Sequence, residues 1–324
     1  MEKMKIIAGV DIGGTNSVIG LVEKDGKYLL EETIKTNSRE EIEKYIPRLA
    51  DKIIEMCKEV SSDYELASIG IAAPCGNYFT GIIENPSNFN WGNVNIVEQL
   101  KRYFTIPIVV TNDANAAALG EQVYGSAIGI KNFILLTLGT GLGCGIISEG
   151  RLLYGANGLA GELGHTVVQP RGRKCNCGNS GCLETYISAN GLRRTVSYFL
   201  SKSNAESELR NISFNEMTGD FISELALKGD LIAKKTFEFT GEILGRAMAN
   251  IVNSFDPQKI ILFGGLAEAG ELLLTPTKKY FEENLLSMYK GKVDLGIAEL
   301  QNGRAAVLGV SYLAMEEIKR ALAS

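Results

Sequence analysis

The chain has 324 residues, of which 45% are hydrophobic and 22% charged, and a formal net charge of −5. That length suggests about two domains with real apolar cores. No apolar run reaches the roughly 20 residues of a membrane span, and the acidic balance offers no global basic field to nucleic acid.

Residues 5–10 form a short apolar run that enters Asp11-Ile12-Gly13-Gly14-Thr15-Asn16. Residues 17–22 are apolar again, and Asp25-Gly26 makes a turn. This reads as a β-hairpin with another strand near 28–36. Residues 40–60 carry helical periodicity through Ile42, Ile46, Leu49, Ile53, Met56, Cys57 and Val60. Buried strands follow at 66–72 and 106–111, the second ending at Asn112-Asp113, and 114–124 is an Ala-rich helix. The pattern then restarts. Strand 132–138 ends in Gly139-Thr140-Gly141-Leu142-Gly143, 144–148 continues apolar, and Glu149-Gly150 is a turn. Residues 189–231 read as helical and polar, with weak signals over 201–217. A long amphipathic helix spans 237–255 and stops at Pro257; strand 259–263 runs into Gly264-Gly265; 305–323 is a final helix. Each of two units thus opens with a hairpin around a Gly/Thr loop and then alternates helix and strand. The expectation is a duplicated α/β architecture, with the ligand crevice between the units and a boundary near the helix after Asp113.

Gly13, Gly14 and Thr15, and again Gly139, Thr140 and Gly141, offer backbone N–H groups and a hydroxyl to phosphate. Asp11 is placed to hold Mg²⁺ through water. Either loop alone could be an ordinary Gly turn; two on equivalent hairpins suit a triphosphate. Neither has the Gly-Lys-Ser/Thr ending of a P-loop. Gly264 and Gly265 leave flat backbone for a base or ribose, or simply end a strand. Asp113, at a strand's C-terminal end, suits a general base, and a helix N-cap equally well. Residues 84–91, with Asn88 and Trp91, read as a loop for a ligand rich in hydroxyls or as a plain surface loop.

The single histidine, His165, precedes Cys175, Cys177 and Cys182. One imidazole and three thiols can complete a tetrahedral Zn²⁺ site, and Gly178 and Gly181 allow the sharp turns it needs. The other readings are a redox pair, buried thiols or chance. Glu162 and Glu184 bracket the cluster. Residues 1–5 are short and charged, unlike a secretory segment, which points to a reducing, cytoplasmic setting without disulfides.

Gly164-His165 through Cys175-x-Cys177-Gly178-x-x-Gly181-Cys182-x-Glu184 resembles the ROK family of bacterial sugar kinases and repressors. That family lies in the hexokinase–actin–heat-shock ATPase superfamily, and the resemblance runs from Asp11 past Gly265. It implies duplicated RNase H-like (actin-like ATPase) domains, 1–118 with helix 305–324 packing back, and 119–304, around an active-site cleft. It implies Asp113 as catalytic base. Glu162, Glu184, His165, Asn112 and Asn88 are then sugar contacts. His165, Cys175, Cys177 and Cys182 hold structural zinc. Gly13, Gly14 and Thr15 become the first phosphate loop, Gly139, Thr140 and Gly141 the second, and Gly264 and Gly265 the adenosine loop. One departure stands out: relatives often carry Pro-Gly-Pro where this chain has Pro74-Cys75-Gly76.

The expected activity is phosphorylation of the 6-hydroxyl of a hexose by Mg·ATP. Glucose is the first choice, with N-acetylglucosamine and N-acetylmannosamine as alternatives. Membrane and nucleic acid are not expected partners, whereas relatives suggest a dimer or tetramer. A sugar-sensing repressor needs a DNA-reading module ahead of the first strand, where only a handful of residues stand. A shape-changing ATPase has no reason to carry a zinc-ordered pair of carboxylates.

Overall fold

In a computed structural model, which describes residues 3–86, 89–300 and 303–323, the chain opens with β1 (Met4–Ile12), β2 (Asn16–Glu23) and β3 (Tyr28–Lys35). β1 and β2 pair antiparallel around the Gly13-Gly14 turn, with Asp11 opposite Val18. Helix α1 (Ile42–Glu59) buries Ile42, Ile46, Leu49, Ile53 and Met56, the stripe that the periodicity marks out, together with Tyr45. The Tyr45 hydroxyl lies 2.7 Å from Ser17 Oγ, which lies 2.7 Å from Thr36 Oγ1. Satisfying these buried hydroxyls ties the helix to the meander.

β4 (Tyr64–Ala73) then pairs parallel with β1. A small antiparallel sheet follows, of β5 (Gly76–Asn77), β6 (Ile82–Glu84) and β7 (Asn93–Asn95). Helix α2 (Ile96–Leu100) leads to β8 (Ile108–Asn112), which pairs parallel with β4. The first large sheet therefore runs β3-β2-β1-β4-β8.

Helix α3 (Asp113–Tyr124) introduces the second unit: β9 (Phe133–Leu138), β10 (Leu142–Ser148) and β11 (Arg151–Leu152). After the cysteine-bearing segment come α4 (Glu184–Ile187), α5 (Ala189–Lys202), α6 (Gly219–Leu227) and α7 (Leu231–Phe255). Then follow β12 (Lys259–Phe263), α8 (Glu271–Asn284) and β13 (Asp294–Ile297). The second sheet runs β11-β10-β9-β12-β13. It repeats the first in order and sense: an antiparallel meander, then two parallel strands.

Helix α9 (Arg304–Ala323) returns to the first sheet. It fits because glycines face it. A Cβ on Gly70 of β4 would lie 2.1 Å from Val310 O, and one on Gly309 would lie 1.8 Å from Ala116 O of α3. Only hydrogen at these positions lets the backbones approach so closely.

The structure departs from the expected elements in four places. α7 begins six residues early, because Asp230 Oδ1 accepts from Ile232 N and Ala233 N at 2.9 Å each. The 189–231 stretch is two helices with an irregular segment between them. α8 carries Pro276 inside it, and no helix is read there from the sequence. The small sheet β5–β7 and strand β13 are too short for a pattern to reveal. Among the described residues, no helix is long and apolar enough to cross a membrane.

Candidate active site and metal centre

The ends of β1, β4, β8, β9 and β12 open onto one cleft of about 540 Å³, within the roughly 300–1,000 Å³ typical of small-ligand sites. Asp11, Gly13 and Gly14 line it from the first hairpin, and Asn112 and Asp113 from the start of α3. Gly139, Thr140 and Gly141 line it from the second hairpin, and Gly264 and Gly265 from the end of β12. Glu162, His165 and Glu184 complete one wall. Thr15 stands apart: it is exposed on its turn, outside the lining, and its carbonyl accepts from Thr36 N at 2.9 Å. Asn88 lies outside the described residues.

The strand-to-helix junction assigns the capping role. Asn112 is the N-cap of α3, with Oδ1 accepting from Ala114 N at 2.9 Å. Asp113 is the first helical residue, and its Oδ1 accepts from the same N–H at 2.8 Å. The second oxygen of Asp113 has no partner among the described residues. Burial pushes the Asp113 carboxyl above the usual carboxylate range; its backbone hydrogen bonds oppose this, and the Glu162 charge adds to it. Asp11 is pushed up to about 7, by burial first and by the Asp113 charge second.

Asp11, Asp113, Glu162 and Glu184 thus bring four carboxylates to the cleft, and among the described residues no Lys or Arg lines it. A polyanionic ligand here has backbone N–H groups to meet it but no cationic side chain. The oxygen donors and the missing positive charge fit a divalent cation of the Mg²⁺ type.

The two glycine loops meet at Leu138. Gly264, with φ +98°, packs against the Leu138 backbone, and Leu266 N donates to Leu138 O at 3.1 Å. Gly139 N donates to Gly141 O at 3.0 Å, which closes the second loop tightly.

His165, Cys175, Cys177 and Cys182 converge, with one ligand atom from each lying within 4.8 Å of all the others. Cys175 Sγ is 3.6 Å from His165 Nδ1, and Cys177 Sγ is 3.6 Å from Cys182 Sγ. A tetrahedron with metal–sulfur bonds of about 2.3 Å has edges of roughly 3.7 Å. The donor set therefore fits zinc in kind and in spacing. The other ring nitrogen, Nε2, faces Glu162 Oε2 at 3.9 Å.

The local chain explains this convergence. Gly181 has φ +85°, and a Cβ there would lie 1.8 Å from Gln169 O. Arg173 clamps the segment to the helices behind it. Its Nη1 donates to Thr185 O and Gly191 O at 2.9 Å each, and Nη2 to Thr195 Oγ1 at 2.9 Å. Its guanidinium also stacks 4.4 Å from the Tyr186 ring centroid.

The ROK family profile matches residues 7–317. The chain belongs to the ROK family. The glucokinase of Halalkalibacterium halodurans is 35% identical over 315 residues, which cover 95% of this chain and 94% of that protein. A crystal structure of a ROK family glucokinase from Streptomyces griseus in complex with glucose and AMPPNP matches with a TM-score of 0.79 at 32% identity, over 96% of this chain and 99% of that one. The xylose repressor of Caldicellulosiruptor bescii is 30% identical over 96% of this chain and 78% of its own length. The expected fold, a duplicated actin-like α/β architecture, is the fold this ROK chain has.

Against the ROK pattern, Cys75 proves to be a conservative departure in shape. It adopts φ +55°, the left-handed conformation that a glycine would take without strain. The turn is kept, with Cys75 O accepting from Glu84 N at 3.0 Å, and the thiol is added to the cleft lining. Burial, then the charges of Glu162, Asp113 and Glu84, push that thiol up.

Two polar side chains of the lining escape sequence reasoning. Thr137 lies in the cleft, with Oγ1 accepting from Gly143 N at 3.0 Å. Asn115, two residues after Asp113, is 3% exposed, and its Oδ1 has no partner. A polar residue amid the alanines of α3 is the signal that could have marked it.

Proposed function

We propose that this ROK chain is an ATP-dependent hexose kinase that phosphorylates the 6-hydroxyl of glucose, with Asp113 as general base. One observation carries the reading. A partly buried carboxylate with a free oxygen faces the same cleft as two glycine loops on equivalent hairpins. Phosphoryl transfer needs positioning and charge neutralisation more than covalent chemistry, and such a cleft offers both.

In this mechanism the glycine loops 13–14 and 139–141 hold the triphosphate through backbone N–H groups, and Gly264 and Gly265 lie against the adenosine. Thr15 requires a shift of its turn to share in this. The sugar's 6-oxygen attacks the γ-phosphorus as Asp113 takes its proton. The new O6–P bond forms as the bond to the β–γ bridging oxygen breaks, and ADP leaves with the electron pair. Burial raises the Asp113 carboxyl above the usual range, which makes it a stronger proton acceptor than an ordinary exposed carboxylate. Asp11 would hold Mg²⁺ through water, and the ion would supply the positive charge that no described side chain of the cleft provides.

Glu162, Glu184 and His165 read the sugar hydroxyls, with Asn112 and Asn88 adding contacts. Asn112 Oδ1 is already committed to capping, so its amide nitrogen is the group left for sugar. A site of this kind rejects sugars lacking a matching hydroxyl, because its own polar groups are left unpaired. His165 Nδ1 and the three cysteines would hold zinc, and such a zinc would be structural, since four protein ligands leave no open position. Residues 1–118 with 305–324 form one domain and 119–304 the other, and their closure over the cleft excludes water. The protein acts in the cytoplasm, as a homo-oligomer.

N-acetylglucosamine and N-acetylmannosamine remain the competing substrates, since space near the sugar's 2-position separates them from glucose. Comparing kcat/KM over a panel of hexoses and N-acetylhexosamines tests the choice. Glucose is expected to exceed both acetamido sugars by at least tenfold. The reverse order assigns the enzyme to an N-acetylhexosamine. A repressor role is disfavoured by the acidic net charge of −5, and a gel shift at low salt tests it.

A further inference from the structure

Glu184 touches the nucleotide half of the cleft as well as the sugar half. Its Oε2 accepts from Leu142 N at 3.0 Å, at the end of the second glycine loop. The approach is close: a Cβ on Gly141 would lie 2.6 Å from that same oxygen. The other oxygen, Oε1, has no partner among the described residues and reaches solvent, and the residue lines the cleft. A second tie runs parallel, from Ala189 N to Gly139 O at 2.9 Å. Both ties start from the chain that leaves Cys182, two residues before Glu184.

We propose that Glu184 is a strut shared by both substrates: one carboxylate oxygen holds the loop 139–142, the other meets a sugar hydroxyl, and sugar binding thereby raises the affinity for the nucleoside triphosphate. The inference rests on the kinase reading above and adds to it a positioning role. A carboxylate fixed at both ends has less freedom to swing, so the loop it holds is ordered before the triphosphate arrives. Linkage makes the effect reciprocal: the nucleotide tightens sugar binding by the same factor. It also gives a physical reason for little ATP turnover without sugar, because the loop is then held by one end only.

Calorimetric titration with Mg·AMPPNP, with and without saturating glucose, tests the strut. In the wild type, glucose is expected to tighten nucleotide binding about fivefold or more, within the usual range of roughly 5–150-fold for coupled sites. Glu184→Ala removes both contacts. It is expected to weaken nucleotide binding at least about fivefold even without sugar, and to bring the coupling factor near one. Glu184→Gln keeps an acceptor for Leu142 N and should hold the sugar-free nucleotide affinity within about twofold of wild type. Sugar-free affinity unchanged in Glu184→Ala would reduce the residue to a plain sugar contact and overturn the proposal. Should the variants misfold, hydrogen exchange of the Leu142 amide in the wild type decides: glucose alone is expected to slow it, and no change overturns the strut. A wild type that binds neither Mg·AMPPNP nor glucose would instead overturn the kinase reading itself.

Discussion

Cys175 Sγ lies 3.6 Å from His165 Nδ1, although ten residues separate them in the chain. The contact puts the only imidazole at the join between the cysteine cluster and the cleft, with its other nitrogen toward Glu162. Zinc held there would order one wall of the cleft. Purified protein is expected to carry one zinc per chain. Structural zinc commonly contributes on the order of 10 kcal/mol to its site, so a strong chelator or Cys177→Ser should lower the melting temperature and abolish glucose binding. Elemental analysis with a thermal melt checks this, and a fully active, metal-free preparation contradicts it.

Asp113→Asn keeps the acceptor that Asp113 Oδ1 offers to Ala114 N and removes the base. kcat is expected to fall at least about a hundredfold, the usual scale for a general base, with glucose affinity nearly unchanged. The acid limb of kcat/KM in the wild type should lie above the usual Asp value of about 3.9, because burial raises Asp113. A steady-state pH profile of both proteins measures each point; a near-normal kcat in the variant removes the assignment.

Asp11 gives a stability prediction of definite sign. Its carboxyl titrates near 3.8 when unfolded and about 7 when folded. Over that window the folded chain binds the proton more tightly, so stability is lost as pH rises. Asp11→Asn lacks this loss. In magnesium-free buffer the variant should gain melting temperature relative to wild type between pH 4 and about 7, then run parallel above that. Melting temperatures that stay parallel throughout would place Asp11 in a more solvated setting than the structure gives it.

Gly309 makes the crossing of α9 over α3 possible, since its Cβ would lie 1.8 Å from Ala116 O. Gly309→Ala must separate the two helices. Overpacking of this kind costs about 1–3 kcal/mol, which a denaturant midpoint will show. Asp113 sits at the start of α3, so kcat should fall as well. An unchanged midpoint means that the helices have slack.

The hairpins, the glycine loops and the ligand set were legible because each writes its reason locally. Alternation marks β1 and β2, glycines mark the turns, and three cysteines within eight positions mark a cluster that the fold brings together with His165. The rest depends on neighbours distant in the chain. Nothing around Arg173 announces that it will clamp Thr185, Gly191 and Thr195. Glu184 and Leu142 are 42 residues apart, and only the fold joins them. α8 went unread, and its internal Pro276 packs against Gly241 of α7, where only a glycine leaves room. From sequence Asp113 could be cap or base; the fold gives the cap to Asn112 and leaves the base role as a proposal.

The most direct test of the whole account is ADP release by the purified chain with Mg·ATP, measured with and without glucose. The account predicts rapid release with glucose, matched mole for mole by glucose 6-phosphate, and only a trace without it. ADP released equally in the absence of sugar, or none released with any hexose or N-acetylhexosamine, would contradict it.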